Sequence, residues 1–218
     1  QKGIKGLRIG IAKEYLQKGL DEKVKENFNN AKDIFSRLGA ELTEISLPHT
    51  EYANACYYII QPAEVSSNLA RYDGIRFGNN RSFFGDEAKR RIMLGTFTLS
   101  AGYYEAYYKK AMQVRTLVKK DFEDAFNKVD VIVTPVSPTP PWKLGEKVDD
   151  PLKMYLSDIF TVTANLTGIP GLAVPSGFID KLPVGIQILG PQFSEELLFR
   201  IGHAHEQETE FYKQKPNL

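Results

Sequence analysis

The first fifty residues change pattern twice, from a compact apolar run to a helical repeat and then to polar–apolar alternation. The run Leu7–Ala12 is typical of a buried strand. Apolar residues then recur at spacings of four, three and four, at Val24, Phe28, Ala31 and Phe35. This repeat predicts a helix, for which Asp21 is the expected cap and Gly39 the expected end. Glu41–Leu47 alternates as a half-buried strand does and stops at Pro48, so this region predicts a βαβ unit in a parallel or mixed sheet.

Helices and strands continue through the rest of the chain. Helical spacing from Tyr103 to about Asn127 predicts a long helix on a stripe of Tyr107, Ala111, Val114, Val118, Phe122 and Ala125. Val129–Thr134 predicts a strand. The sequence PVSPTPP from Pro135 predicts an ordered loop at the sheet's edge, because its prolines lack amide donors.

The C-terminal part predicts a short helix around Asp150–Ala164, two strands near Ala173 and Ile186, and a final helix capped by Ser194. Strands and helices alternate without a repeat or a linker. We therefore expect one α/β domain over residues 1–218.

Composition argues against several classes of protein. The chain has 218 residues, of which 42% are hydrophobic and 25% charged, as in ordinary globular proteins. A net charge of +1 gives no basis for a nucleic-acid surface. No apolar run approaches the roughly 18 residues that span a bilayer, and the start QKGIKGLRIG lacks the apolar core of a signal peptide. Cys56 is the single cysteine, so we expect a soluble protein of a reducing compartment.

The histidines and glycines do not form a familiar catalytic motif. His203 and His205 lie two positions apart in a predicted helix and point to different sides, and His49 has no partner at ligand spacing. We therefore expect no metal site. The sequence contains no G-x-S-x-G elbow and no G-x-G-x-x-G or Walker A loop, so it predicts neither a local serine nucleophile nor a phosphate-binding loop.

Three other places carry candidate chemistry, each with a plainer alternative. The triplet Lys89-Arg90-Arg91 splays around a helix, so at least one cation would lie along an apolar surface or face away from bulk water; the plainer alternative is a solvated charge run. Asp158 lies among large apolar residues, as a helix cap or as the partner of a buried cation. Tyr57-Tyr58 could pack in a core or contact a ligand.

Arg91 and Asp158 together would suit a free amino acid. Such a ligand is a zwitterion, whose carboxylate matches an arginine fork and whose ammonium matches an aspartate. Because unpaired buried charges are costly, a site of this kind would reject neutral analogues.

Several segments carry a family resemblance. Asn-Leu-Thr-Gly-Ile-Pro from Asn165 and Pro-Val-Gly-Ile-Gln from Pro183 resemble landmarks of the amidase-signature enzymes. Longer segments resemble the A subunits of glutamyl-tRNA(Gln) amidotransferases in particular, and the likeness covers nearly all of the chain. These are YYIIQPAEVSSNLARYDGIRFG from Tyr57, EAKRRIMLGTFTLSAGYYEAYYKKAMQVR from Glu87 and VDDPLKMYLSDIFTVTANLTGIPG from Val148.

The resemblance implies the C-terminal half of the amidase-signature fold, a mixed β-sheet flanked by helices. It also implies a glutaminase with the B and C subunits of the amidotransferase as partners. The B subunit receives the ammonia and amidates Glu-tRNA(Gln) with ATP and magnesium, and the C subunit holds the other two together. This chain would need no cofactor of its own. The family binds glutamine through a tyrosine, an arginine and an aspartate, which the motifs place at Tyr57, Arg91 and Asp158, with Arg90 as the alternative arginine.

Two departures from the family pattern concern activity. Family members are more than twice as long, and their catalytic serine, bridging serine and lysine lie in the first half, so we expect no catalytic residue here. Ser66-Ser67 and Ser100 are no substitute, because neither lies in a glycine-rich turn that could supply oxyanion-hole amides. The connection around Asn79–Ser82 is also shorter than in the family, either as a short loop or because a mobile piece is absent from the sequence.

We therefore expect the glutamine-binding half of a glutaminase, inactive without the N-terminal half, in the bacterial cytoplasm or an organelle matrix. Two alternatives remain. The half-fold could be a catalytically silent amino-acid-binding or scaffold module. The enzyme could also be a broad-specificity amidase, which would need no buried pair of Arg91 and Asp158.

Overall fold

In the described part of the chain, five strands form one mixed sheet. The computed structural model describes residues 3–16, 19–146 and 151–215. The strands are Arg8–Ala12 (β1), Glu41–Ile45 (β2), Val131–Pro135 (β3), Gly171–Ile179 (β4) and Leu182–Leu189 (β5). Their order is β2-β1-β3-β5-β4, with β1 parallel to β2 and β3, and β5 antiparallel to β3 and β4. The predicted mixed sheet and its parallel βαβ unit are confirmed.

Helices flank this sheet. Those in the described residues are Glu22–Arg37 (α1), Ala53–Leu69 (α2), Asp86–Thr98 (α3), Lys110–Phe126 (α4), Pro151–Leu156 (α5), Val162–Thr167 (α6) and Glu195–Thr209 (α7). Asp21 caps α1 as predicted, since its carboxylate accepts from the backbone amides of Lys23 at 2.8 Å and Val24 at 3.3 Å. Beyond α1, Gly39 has a φ of 86°, which glycine adopts without strain. No helix among the described residues is both long and apolar enough to cross a membrane.

The core is divided between the two faces of the sheet, because side chains alternate along each strand. Val131 and Val133 pack on one face with buried residues of α1 and α7, and Ile132 packs on the other face with α4. A third cluster joins α2 to α4 and α6, and it contains Ala53, Cys56, Ile60, Ala111, Val162 and Leu166. This third cluster fixes α2 and α6 against each other.

The predicted long helix differs from expectation at its start. It begins with the π-helical turn Tyr104–Lys109, and α4 follows. A π-turn holds more residues per turn than an α-helix, so it rotates the side chains away from the stripe that an α-helical spacing predicts. Tyr107 is accordingly 49% exposed, whereas Ala111 and Phe122 are buried as predicted.

The structure corrects two further expectations, the bounds of one helix and the place of one loop. The predicted helix around Asp150–Ala164 is two short helices, α5 and α6, separated by a turn; Asp150 itself lies outside the described residues. In this turn the amide and the hydroxyl of Thr161 both donate to the carbonyl of Asp158, at 2.9 and 3.1 Å. Local bonds of this kind compete with a continuous helix. The PVSPTPP loop follows β3, the central strand, so it leaves the middle of the sheet and not its edge.

Two further expectations, the Ser194 cap of α7 and the half-buried strand β2, are correct for the position of the element but not for its details. Ser194 stands at the start of α7, but its hydroxyl donates to the carbonyl of Pro191 at 2.6 Å and makes no cap hydrogen bond. The strand β2 lies at the sheet's edge, and Leu42 is 36% exposed there rather than half-buried on an inner face.

The short connection around Asn79–Ser82 forms a closed loop in this structure. The guanidinium of Arg81 donates to the carbonyls of Ala70 and Tyr72, at 2.6 and 2.7 Å. Asn80 accepts from the backbone amide of Ser82 at 2.9 Å. These bonds tie the end of α2 to the segment that leads into α3.

His205 should make the fold sensitive to acid. Its ring is fully buried beside Phe35, and neither ring nitrogen has a hydrogen-bond partner among the described residues. Burial lowers the pKa of His205 from 6.5 to about 4, so between these values the unfolded chain binds a proton that the folded chain does not. The part of the unfolding free energy that depends on neutral His205 is therefore fully present above pH 6.5. It decreases as the pH falls, by about 2 kcal/mol between pH 7 and pH 5.

Urea unfolding at pH 7 and pH 5 measures this effect. In His205→Leu, which cannot take up the proton, the loss of unfolding free energy between the two pH values should shrink by about 2 kcal/mol. His203→Leu is the control, because His203 is exposed on the same helix. An equal pH dependence in all three proteins would contradict the assignment to His205.

Candidate functional site

The candidate residues come from three elements that pack together. Helix α2 carries Tyr57 and Tyr58, and α3 carries Arg91. The turn between α5 and α6 carries Asp158. Close packing of α2 on α3 depends on Gly95, where an added Cβ would lie 1.9 Å from the carbonyl oxygen of Pro62.

Tyr58 is the centre of the arrangement, because it contacts both charged candidates. Its hydroxyl donates to Oδ2 of Asp158 at 2.8 Å. The guanidinium carbon of Arg91 lies 5.6 Å from the centroid of its ring, within the range of a cation–π interaction. Burial and the hydrogen bond to Asp158 raise the pKa of Tyr58, so the phenol remains a donor at neutral pH.

Glu87 and Tyr155 complete this group. The Nε of Arg91 donates to Oε1 of Glu87 at 2.8 Å, and the hydroxyl of Tyr155 donates to the same oxygen at 3.1 Å. The ring of Tyr155 stacks on Tyr58 with the centroids 4.0 Å apart. Arg91 and Asp158 are thus joined through Tyr58, and again through Glu87 and Tyr155, whose carbonyl accepts from the backbone amide of Asp158 at 3.2 Å.

The charges of the pair Glu87 and Arg91 are stabilised. Burial alone would raise the pKa of Glu87, but the hydrogen bonds from Arg91 and Tyr155 outweigh it, and the pKa lies below its ordinary value. Burial alone would lower the pKa of Arg91, but Glu87 outweighs it and raises the pKa. Both groups are therefore ionised at neutral pH.

The structure shows the surroundings of each of the three candidate places, so the alternatives for each can be compared. In the triplet, Lys89 and Arg90 are exposed, whereas the side chain of Arg91 is 23% exposed and lies on an aromatic ring. The carboxylate of Asp158 makes no cap hydrogen bond to α6 and no ion pair within the described residues; its partner is the Tyr58 hydroxyl. Tyr57 is half-buried and meets the group edge-on through Tyr58, with centroids 5.2 Å apart.

A cleft of about 470 Å³ opens beside Asp158. Its other walls are the loop after β3, with Ser137, Thr139 and Trp142, and the start of β5. The hydroxyl oxygen of Thr139 is buried in the described structure without a hydrogen-bond partner. Small-molecule sites have volumes of about 300–1,000 Å³, so the cleft has the volume for a free amino acid. Of the three predicted binding residues, Asp158 lines this cleft, whereas Tyr57 and Arg91 do not.

Reasoning from the sequence named the pair Tyr57-Tyr58 but assigned the site to Tyr57, and it missed Glu87 and Tyr155 as members of the group. For Glu87 a signal existed, because it lies four residues before Arg91, the spacing at which helical side chains meet. Tyr155 lies three residues before Asp158, but the helix around it was placed with the wrong bounds. Nothing in the sequence separates Tyr58 from Tyr57.

Comparison with known proteins identifies the family. Residues 1–199 match the sequence model of the Amidase family. The chain belongs to the amidase family. This match confirms the family resemblance from which the fold was predicted.

Curated relatives of this amidase-family chain are A subunits of glutamyl-tRNA(Gln) amidotransferases. The A subunit from Thermodesulfovibrio yellowstonii is 56% identical over the whole chain, which covers 48% of that protein. The crystal structure of the A subunit from Thermotoga maritima is 43% identical with a TM-score of 0.77, over 94% of this chain and 43% of that one. A bacterial aryl acylamidase of the amidase-signature family, 19% identical with a TM-score of 0.72, shares the fold over 95% of this chain and 44% of its own. This amidase chain spans about half the length of the curated relatives it matches.

Proposed function

We propose that this chain is the glutamine-binding half of the glutaminase subunit of a glutamyl-tRNA(Gln) amidotransferase. The observation that carries the proposal is that Arg91 and Asp158 both contact one side chain, that of Tyr58. A cation and an anion arranged around one side chain suit the carboxylate and the ammonium of one amino acid. The relatives are named as A subunits of glutamyl-tRNA(Gln) amidotransferases, which supports this enzyme as the one to which the chain would belong.

In the complete enzyme, glutamine would bind with its α-carboxylate at Arg91, its ammonium at Asp158 and Tyr57 at its side. A serine of the other half of the polypeptide would attack the side-chain amide, release ammonia and leave a glutamyl ester for hydrolysis. The ammonia would pass to the B subunit, which would use it with ATP and magnesium to amidate Glu-tRNA(Gln). The C subunit would hold the two together, in the bacterial cytoplasm or an organelle matrix.

Arg91→Lys in the complete enzyme tests this proposal. An ammonium cannot reproduce the two parallel hydrogen bonds of a guanidinium, so KM for glutamine should rise about tenfold or more. Arg90→Lys is the matched control, because Arg90 is exposed and lies one residue away. It should change KM little, since lysine keeps the charge that pairs with Glu87, and an exposed ion pair contributes little.

The reverse pattern, with Arg90→Lys damaging and Arg91→Lys silent, would move the carboxylate site to Arg90. If both variants were silent, the triplet would be a solvated face and the glutamine site would be wrong. Propionamide separates the remaining alternative: an enzyme that cleaves it as well as glutamine is a broad-specificity amidase and needs neither charge.

A further inference from the structure

Arg91 is held from one side only. Within the described part of the chain it donates a hydrogen bond only through Nε, to Oε1 of Glu87 at 2.8 Å. Its guanidinium carbon lies 5.6 Å from the centroid of the Tyr58 ring. A carboxylate binds two parallel N–H groups at one edge of the guanidinium plane. With Nε already bonded, the edge formed by the two Nη groups is the one left for a ligand.

Glu87 is itself fixed by several neighbours. Its Oε1 also accepts from the Tyr155 hydroxyl at 3.1 Å, and its Oε2 pairs with Arg90. Arg90 and Arg91 follow at spacings of three and four on the same helix, so both can reach one carboxylate. Two guanidinium groups on one carboxylate leave one net positive charge, and Arg91 is the less exposed of the two.

We propose that Glu87 is a positioning residue for glutamine binding, holding Arg91 by Nε so that its Nη edge faces the α-carboxylate. Tyr155 and Arg90 in turn fix Glu87. This inference rests on the proposed function. Glu87 touches no substrate atom; it acts because a side chain that is already fixed loses less conformational freedom when the ligand binds.

Glu87→Gln in the complete enzyme is the test, with Asp86→Asn as its matched control. Both changes convert an acid to its amide in the first turn of α3, but Asp86 is exposed and lies one residue earlier. In Glu87→Gln, KM for glutamine should rise about three- to tenfold with kcat nearly unchanged, because the reacting amide lies at the other end of the substrate. Asp86→Asn should leave both constants unchanged.

A second ligand and a second variant separate positioning from a structural role. The analogue 4-aminobutanamide lacks the α-carboxylate, so its inhibition constant should be the same in Glu87→Gln and the unaltered enzyme. In an Arg91→Lys background, Glu87→Gln should raise KM no further, because the two residues act through one contact. Equal weakening of both ligands, or additive effects in the double variant, would overturn the positioning role.

Failure of the inference differs from failure of the proposed function. An unaltered enzyme that hydrolyses glutamine, with an unchanged KM in Glu87→Gln, would overturn the positioning role alone. An unaltered enzyme that does not hydrolyse glutamine would overturn the proposed function, and the role of Glu87 would fall with it.

Discussion

The 218-residue chain on its own should show no measurable glutaminase activity. Its sequence offers no glycine-rich serine segment, and two of the three serines considered as substitutes, Ser66 and Ser100, are hydrogen-bonded to residues of α3. The Ser66 hydroxyl pairs with Thr96 at 2.7 Å, and the Ser100 hydroxyl donates to the carbonyl of Phe97 at 2.7 Å. Loss of a nucleophile costs about six orders of magnitude in a well-studied protease, so the activity should fall below detection.

Ammonia release from glutamine by the purified chain measures this, and addition of the proposed N-terminal half is the positive control. The mixture should regain glutaminase activity. Turnover by the chain alone would mean that it carries an unrecognised nucleophile. A mixture that assembles but stays inactive would favour the catalytically silent binding module over the enzyme.

The sheet could be predicted because its pattern is local. In β1 and α1 the apolar residues recur at the period of the element they form. Asp21 marks the start of α1 because its carboxylate accepts from backbone amides, and Gly39 marks its end because glycine adopts a positive φ. The π-turn before α4 could not be predicted, since its sequence keeps a helical spacing and only tertiary packing selects the wider turn.

The site was predictable in part, and for a different reason. Family motifs directed attention to Arg91 and Asp158, but their relation depends on how α2, α3 and the turn after α5 pack. Sequence spacing carries no information on contacts such as Tyr58 to Asp158, which lie a hundred residues apart in the chain. The contact from Glu87 to Arg91 is the exception, because it lies within one helix.

Asp158→Asn in the complete enzyme should lower the affinity for glutamine at least tenfold while thermal stability barely changes. The asparagine keeps an oxygen that can accept from Tyr58, so the hydrogen bond at 2.8 Å has a substitute and the turn should hold its shape. What disappears is the negative charge that faces the substrate ammonium in the proposed site. Loss of a charged partner in a desolvated site costs about 2–5 kcal/mol, or roughly thirtyfold to several thousandfold in affinity.

The matched control is a ligand that lacks the ammonium. Glutaramate has the carboxylate and the amide of glutamine without its amino group, so it should bind the Asp158→Asn enzyme as well as the unaltered one. Titration calorimetry with both ligands and a melting curve for each protein separate the two roles of this residue. A variant that binds glutamine normally but melts much earlier would show that Asp158 supports the turn between α5 and α6. Its contact with the Tyr58 hydroxyl would then be structural, and the residue would not bind the substrate.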